Sequence, residues 1–136
     1  MKVDQKLFDS VVSFIEQRFG KNSDEGAAGI YTESGKILIS TAPDTLNDSV
    51  SLCHETGAYC EAYKLDEKVV ASVCVHQGKD GKNIVLTPCG VCQERLFLYG
   101  DDVEVGVPDP ANVNHFVSIK LKEVQPYHWR NILNRI

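Results

Sequence analysis

The stretch Lys68-Val69-Val70-Ala71-Ser72-Val73-Cys74-Val75-His76 is an almost unbroken run of apolar and small residues. A run of this length, rich in β-branched residues, is typical of a strand that is buried on both faces of a sheet. Such a strand needs a layer of helices over each face, because neither face can remain in water. The segments on either side of this run must therefore supply those layers and the neighbouring strands.

The flanking segments alternate between helical and extended patterns. The apolar spacing predicts helices over about residues 3–19, 52–65, 90–99 and 126–133. It predicts further strands over about residues 26–32, 36–41, 103–107 and 116–121, with a short extended segment over 84–86. A hairpin followed by alternating strands and helices predicts an α/β fold of three α-β-α layers around a mixed sheet of about five strands, in a single domain over residues 1–136.

Composition narrows the class of protein. The chain has 136 residues, of which 43% are hydrophobic and 24% charged, so it can bury a core and is not a disordered tail. The net charge of −5 and the lack of a basic run argue against nucleic acid as a partner. The sequence shows neither an apolar stretch of about 18 residues nor the apolar core of a signal peptide. We therefore expect a soluble, cytoplasmic protein with no membrane partner.

The cysteines are the residues most informative about chemistry. They are Cys53, Cys60, Cys74, Cys89 and Cys92. An odd number of thiols without an export signal argues against a disulfide framework and favours metal binding or catalysis. Cys53 and Cys89 each open a predicted helix, where free N–H groups favour a thiolate. Two such helix starts on adjacent strand-helix units lie side by side, so Cys53 is expected near Cys89 and Cys92.

The residue two positions after Cys53 adds a second element to this pattern. Three thiolate ligands with an open fourth position are typical of a catalytic zinc ion. Glu55 lies in the first predicted turn of the helix that Cys53 opens. A carboxylate there can reach a zinc-bound water without joining the ligands, take its proton and pass that proton to a leaving amine.

The motif Cys53-His54-Glu55, followed by Pro88-Cys89-Gly90-Val91-Cys92, resembles the zinc-dependent cytidine deaminase family. The segments Gly26-Ala27-Ala28 and Glu123-Val124-Gln125-Pro126 extend this resemblance over most of the chain, although only the two cysteine motifs are specific. The small size and the first Cys ligand, where other members have His, resemble the small homotetrameric cytidine deaminases and the blasticidin-S deaminases.

The resemblance implies a zinc-dependent hydrolase. Cys53, Cys89 and Cys92 would bind about one zinc ion per chain. A zinc-bound hydroxide would attack the amine-bearing carbon of a cytosine-like ring, with Glu55 as the proton shuttle. The substrate would be a small molecule such as cytidine, deoxycytidine or a nucleoside analogue like blasticidin S. The resemblance also implies a homotetramer, with a dimer as the second choice.

The substrate-binding residues implied by the resemblance depart from the family pattern. The Thr87 carbonyl would bind the departing amine, and the backbone N–H of His54 would meet the ring carbonyl. The family binds ribose through Asn-x-Glu in the loop before the first zinc ligand, where an ungapped count from Cys53 gives Ala42 and Asp44. We therefore expect unmodified cytidine to be a poor substrate. Thr56 stands where the family has an Arg that offsets the thiolate charge. A replacement donor is expected, and Arg95 and His54 are its candidates, although the sequence alone places neither.

Two other functions remain open at this point. The first is a non-catalytic zinc or interaction domain, in which a fourth protein ligand could close the metal site. Its candidates are Cys60, Cys74, His54, His76, His115 and His128. The second is a thiol-disulfide protein that uses Cys89 and Cys92. Glu55 argues against the first function and the third thiol, Cys53, against the second.

Overall fold

A computed structural model of the chain describes residues 1–133. The helices are α1 Gln5–Phe19, α2 Thr56–Lys64, α3 Gly90–Leu96, α4 Leu121–Val124 and α5 Trp129–Leu133. The strands are β1 Glu25–Thr32, β2 Ile37–Ser40, β3 Val69–Gln77, β4 Asn83–Leu86, β5 Glu104–Asp109 and β6 Asn112–Lys120. Short 3₁₀ turns cover Asp48–Val50 and Phe97–Tyr99. No helix within the described residues is both long and apolar enough to span a membrane.

The strands form one mixed sheet with β3 at its centre. The order is β2-β1-β3-β5-β6, and β4 pairs with β3 on the same side as β5. The first half of β3 runs parallel to β5 at Ala71 and Ser72, and its second half pairs antiparallel with β4 from Cys74 to Gln77. The predicted α/β class and mixed sheet are confirmed. The sheet has six strands where about five were predicted, because the short segment before Pro88 pairs with β3 as a true strand.

Helices cover both faces of this sheet. On one face α1 buries Leu7, Val11 and Ile15 completely. A Cβ at Gly29 of β1 would lie 2.6 Å from Val11 Cγ2, so the absence of a side chain there lets α1 approach the sheet closely. On the other face α2 and α3 pack over the alternate residues of the strands, with Ala58 and Leu96 in one apolar cluster. This arrangement confirms the predicted three layers.

Two partly buried hydrogen bonds to Asp4 tie the start of α1 to β1. Asp4 precedes the helix, and its carboxylate accepts the Leu7 N–H at 2.9 Å as an N-terminal cap. The same oxygen accepts the Tyr31 hydroxyl of β1 at 2.8 Å. Burial, followed by the Asp4 hydrogen bond and charge, raises the pKa of Tyr31 to about 12. The α1 layer is therefore fixed at both its apolar face and its N-terminus.

The second helix begins later than the sequence predicts. The expected helix over 52–65 begins only at Thr56, and Cys53 lies in a turn in which its carbonyl accepts the Thr56 N–H at 3.2 Å. Cys53 therefore precedes the helix, and Glu55 is the capping residue instead of a first-turn residue. The predicted last helix is also shorter, because only Trp129–Leu133 of residues 126–133 is helical in the described part of the chain.

Candidate metal centre

The structure brings three cysteine sulfurs together between α2 and α3. Cys53 lies in the turn before α2, Cys89 caps the N-terminus of α3, and Cys92 lies in the first turn of α3. Their three Sγ atoms lie within 4.8 Å of one another, and Cys53 Sγ is 3.1 Å from Cys89 Sγ. The pairing of β4 with β3 delivers Cys89 to this point, because β4 ends only two residues before Pro88.

The donor set fits a zinc ion. Sulfurs that bind one tetrahedral zinc at about 2.3 Å lie about 3.8 Å apart, which falls within the span of this cluster. Burial raises the pKa of Cys89, but hydrogen bonds from the Cys92 backbone, the Cys53 thiol and the Val91 backbone outweigh it and leave that pKa below its usual value. The helix N-terminus thus favours a thiolate at Cys89, as a metal ligand requires.

The other two thiols are held protonated by their surroundings when no cation is present. Burial, followed by the hydrogen bond with Cys89, raises the pKa of Cys53. Burial, followed by the Glu55 charge, raises the pKa of Cys92 far above its usual value. A nearby metal cation reverses this preference, because it stabilises the thiolate directly.

Glu55 lies against the cluster without joining it. Its side chain is buried at 6% exposure, and its Oε2 accepts the Cys92 thiol at 3.3 Å. Glu55 is not among the groups whose ligand atoms all lie within 4.8 Å of one another. The carboxylate can therefore act as a general base or acid beside a bound ion.

Within residues 1–133, no fourth Cys, His, Asp or Glu completes the cluster. Cys60 is exposed on α2. Cys74 is buried in β3, where burial, followed by the Glu55 charge, raises its pKa far above the usual value. Both cysteines were candidates for a closed four-ligand site, and the structure assigns neither to it.

The candidate histidines also have other partners or lie elsewhere. His76 pairs with Asp24 at 2.8 Å, and His115 is exposed. His128 is only 1% exposed; it stacks on Phe97 with ring centroids 3.7 Å apart, and its Nε2 is 2.6 Å from Glu94 Oε2.

His54 holds the loop that follows β2. Its Nδ1 accepts the Ala42 N–H at 3.3 Å and lies 3.3 Å from Thr41 Oγ1. Its ring packs against Gly26, where an added Cβ would lie 2.9 Å from Nε2. The Ser40 hydroxyl donates to the His54 carbonyl at 2.5 Å. The backbone next to Cys53 is therefore fixed on both sides, a role of the imidazole that the sequence analysis did not foresee.

The remaining predicted substrate residues lie in the loops that precede Cys53 and Cys89. Ala42 contacts His54 through its backbone, whereas Asp44 is exposed in the loop two residues further on. Thr87 is exposed immediately before the buried Pro88, at the entrance to α3.

Sequence reasoning missed two contacts of α3. Gln93 Nε2 donates to the Pro88 carbonyl at 2.7 Å, and Gln93 Oε1 accepts from Gln125 at 2.8 Å, so the chain after α4 supports the segment that carries Cys89. Arg95 Nη1 donates to Thr56 Oγ1 at 2.9 Å across the gap between α3 and α2. The second contact had a signal in the sequence. Three thiolates need a positive group nearby, and Thr56 is neutral where the family has an Arg.

Comparisons with known proteins place this fold and site in context. No protein-family model and no curated protein matches the chain. Among solved structures, the crystal structure of the cytidine deaminase from Bacillus anthracis is 42% identical, with a TM-score of 0.87 over 96% of this chain and 92% of that one. Two others share the fold at lower identity. The Mycobacterium leprae cytidine deaminase is 18% identical, with a TM-score of 0.68 over 89% of this chain and 95% of that one. The Burkholderia pseudomallei cytidine deaminase is 16% identical, with a TM-score of 0.70 over 91% of this chain and 97% of that one. The Bacillus anthracis match has high identity and covers nearly the whole of each chain, and the fold also carries a three-cysteine cluster. This chain is therefore an enzyme that belongs to the cytidine deaminase family of hydrolases.

Proposed function

We propose that the chain catalyses the zinc-dependent hydrolytic deamination of a cytosine-like nucleoside or nucleoside analogue. The observation that carries this proposal is the cluster of three cysteine sulfurs within 4.8 Å, with a buried carboxylate 3.3 Å from one of them. A structural zinc site has four protein ligands, whereas three ligands and an adjacent acid are typical of a hydrolytic site.

Cys53, Cys89 and Cys92 would hold about one zinc ion per chain. When bound, the zinc would lower the pKa of a coordinated water molecule and so supply a nucleophile near neutral pH. In the reaction, water would supply the oxygen of the new ring carbonyl, the bond between the ring carbon and its exocyclic amine nitrogen would break, and that amine would leave as ammonia.

Glu55 is the residue that we assign to proton transfer. In the structure its Oε2 accepts the Cys92 thiol proton. When Cys92 loses that proton to become a ligand, Oε2 becomes available to accept a proton from water and later donate it to the departing amine. Its burial supports this role, because a carboxylate screened from bulk water keeps the proton within the site.

Two backbone groups are assigned to the base. The His54 N–H would donate to the ring carbonyl, and the Thr87 carbonyl would accept from the departing amine. The rigidity of the His54 backbone supports the first assignment, since both its carbonyl and its side chain have hydrogen-bond partners. The position of Thr87 immediately before Pro88 and Cys89 supports the second.

The sugar side of the pocket differs from that of a typical nucleoside deaminase. Ala42 has no polar side-chain atom, and its N–H donates to His54. The Asp44 side chain is exposed in the loop. A pocket that loses a partner for a substrate hydroxyl binds that substrate poorly, because the hydroxyl would be buried unpaired. We infer that the preferred substrate carries a group other than plain ribose.

Ammonia release over a panel of compounds tests this proposal. The panel is cytidine, deoxycytidine, cytosine, methylated cytidines and blasticidin S. We expect at least one modified nucleoside to be deaminated with a higher kcat/KM than cytidine. A cytidine kcat/KM at or above ~10⁴ M⁻¹s⁻¹ would overturn the altered sugar site and leave the zinc reaction intact. No ammonia from any compound, with zinc bound, would favour a non-catalytic zinc domain.

A further inference from the structure

We propose that the Arg95 guanidinium supplies the positive charge that offsets the three cysteine thiolates and Glu55, and that the Thr56 hydroxyl holds it in place. This inference rests on the proposed function, since it concerns the zinc-loaded site. Arg95 is not a metal ligand. It acts on the metal centre through its charge.

The position of Arg95 follows from helix geometry. It lies three residues after Cys92, about one turn further along α3, so both side chains lie on the same side of the helix. Its Nη1 donates to Thr56 Oγ1 at 2.9 Å, and Thr56 directly follows Glu55 at the start of α2. Arg95, Glu55 and Cys92 line one narrow crevice between the two helices.

The charge around this crevice needs a cation. Three thiolates, the Glu55 carboxylate and a Zn²⁺ ion together carry a net charge of −2. Negative charge that is partly withdrawn from water is costly unless a positive group lies close by. Arg95 is half-buried, and no ion pair between Arg95 and a carboxylate occurs within residues 1–133. Its guanidinium is therefore available to offset the charge of Glu55 and Cys92, with which it shares the crevice.

The direction of the effect follows from the charge change on metal binding. Cysteines lose their protons when they bind zinc, so the loaded site is more negative than the empty one. A fixed cation beside the site therefore stabilises the loaded state more. If Arg95 acted only as a tether between α2 and α3, its charge would be irrelevant and its hydrogen bond alone would count.

Zinc affinity, measured by competition with a chromogenic chelator, separates these roles. We expect Arg95→Met to weaken zinc binding by about 10- to 100-fold, the usual cost of losing a group that supports metal ligands. Arg95→Lys keeps the charge without the planar guanidinium, so its affinity should stay within a few-fold of the parent. The matched control is Arg18→Met on α1, where the guanidinium lies over the Phe19 ring, and it should leave affinity unchanged.

Thermal unfolding of the zinc-loaded variants checks that each is folded. If Arg95→Met does not fold, Thr56→Arg combined with Arg95→Met replaces it, and this variant should bind zinc within a few-fold of the parent because the charge returns from α2. Equal zinc affinity of the parent and Arg95→Met, or equal loss in Arg95→Met and Arg95→Lys, would overturn the inference. Zinc binding by the double variant that is about 10-fold or more weaker than that of the parent would also overturn the inference. Absence of zinc binding by the parent would instead refute the proposed function.

Discussion

Glu55 is buried beside a group of sulfurs that would carry negative charge with a metal bound. Its charge contributes to the raised pKa values of both Cys92 and Cys74, after burial itself. An acid in this position lowers the stability of the metal-free fold, because its carboxylate is removed from water. A residue that lowers stability and lies against a candidate metal site is a candidate for proton transfer.

Replacement of Glu55 by Gln should therefore abolish most of the activity and keep the metal. We expect kcat to fall by about 10²- to 10⁴-fold, since Gln has the same shape but cannot carry the proton. Zinc content should remain that of the parent. Glu61→Gln, on the exposed side of α2, is the control and should keep full activity. Turnover within a few-fold of the parent would remove Glu55 from the mechanism, and loss of zinc would reassign it as a ligand.

Replacement of Cys89 by Ala tests the ligand set. The variant should lose bound zinc and part of its thermal stability, because metal binding contributes directly to folding. Cys60→Ala is the matched control, since Cys60 is exposed on α2 and lies outside the sulfur cluster. Zinc content from elemental analysis and the unfolding temperature are the two measurements. A Cys89→Ala protein with full zinc and parental stability would show that the ligands are assigned wrongly.

At the scale of elements, the site depends on how α2 and α3 are held on the sheet. An added Cβ at Gly57 of α2 would lie 2.8 Å from Ser40 Cβ, so α2 lies very close to β2. The start of α3 is held from the other side, through the chain from Gln125 to Gln93 to the Pro88 carbonyl. Neither contact involves a sulfur, yet both set the distance between Cys53 and Cys89.

The α1 layer gives a prediction about pH. Because the pKa of Tyr31 is raised from 10.0 to about 12, the folded protein keeps the phenol proton over a range in which the unfolded chain loses it. The stabilisation is complete below about pH 10 and is lost as the pH rises from 10 towards 12. Tyr31→Phe should therefore be less stable by about 1 kcal/mol at pH 8, for loss of the hydrogen bond to Asp4. As the pH rises above 10, Tyr31→Phe should also lose less stability than the parent, because it has no phenol to titrate.

Urea unfolding of the parent and Tyr31→Phe at several pH values between 8 and about 11.5 measures both effects. Tyr63→Phe is a control with an exposed phenol on α2. An unchanged difference between the parent and Tyr31→Phe over the whole range would contradict a raised pKa at Tyr31.

At the scale of the whole molecule, apolar side chains around the site face solvent. Leu86 and Val91 flank the Cys89 segment with 45% and 56% of their surface exposed. Tyr127 and Trp129 of the C-terminal segment are 88% and 58% exposed, although Trp129 donates to Glu94 at 2.9 Å. Exposed apolar and aromatic residues in this number are typical of surfaces that contact another protein chain.

We therefore propose that the protein is a homotetramer, with a dimer as the second choice. Sedimentation of the zinc-loaded protein at micromolar concentration should give a mass about four times the 15.1 kDa of one chain. Burial of this aromatic surface between subunits would provide the stabilisation. A single monomeric species at that concentration would contradict the proposal.

The sequence alone determined the class of fold and the family. The buried strand around Val73 and the hairpin before it were readable because apolar spacing depends on neighbours only a few residues apart. The Cys53-His54-Glu55 and Pro88-Cys89-Gly90-Val91-Cys92 motifs were readable for the same reason. Together the two motifs combine three thiols and a carboxylate, a set of groups with few other uses at that spacing.

The tertiary structure decided the exact start of α2, the burial of His128 and the partner of Arg95. Cys53 was expected to open a helix, but the contacts of His54 with Ala42 and of Ser40 with the His54 carbonyl favour a turn there, and local propensity does not include such contacts. Arg95 and Thr56 are 39 residues apart in the chain. They meet because α2 and α3 pack on the same face of the sheet, and that proximity depends on the packed core and not on either helix alone.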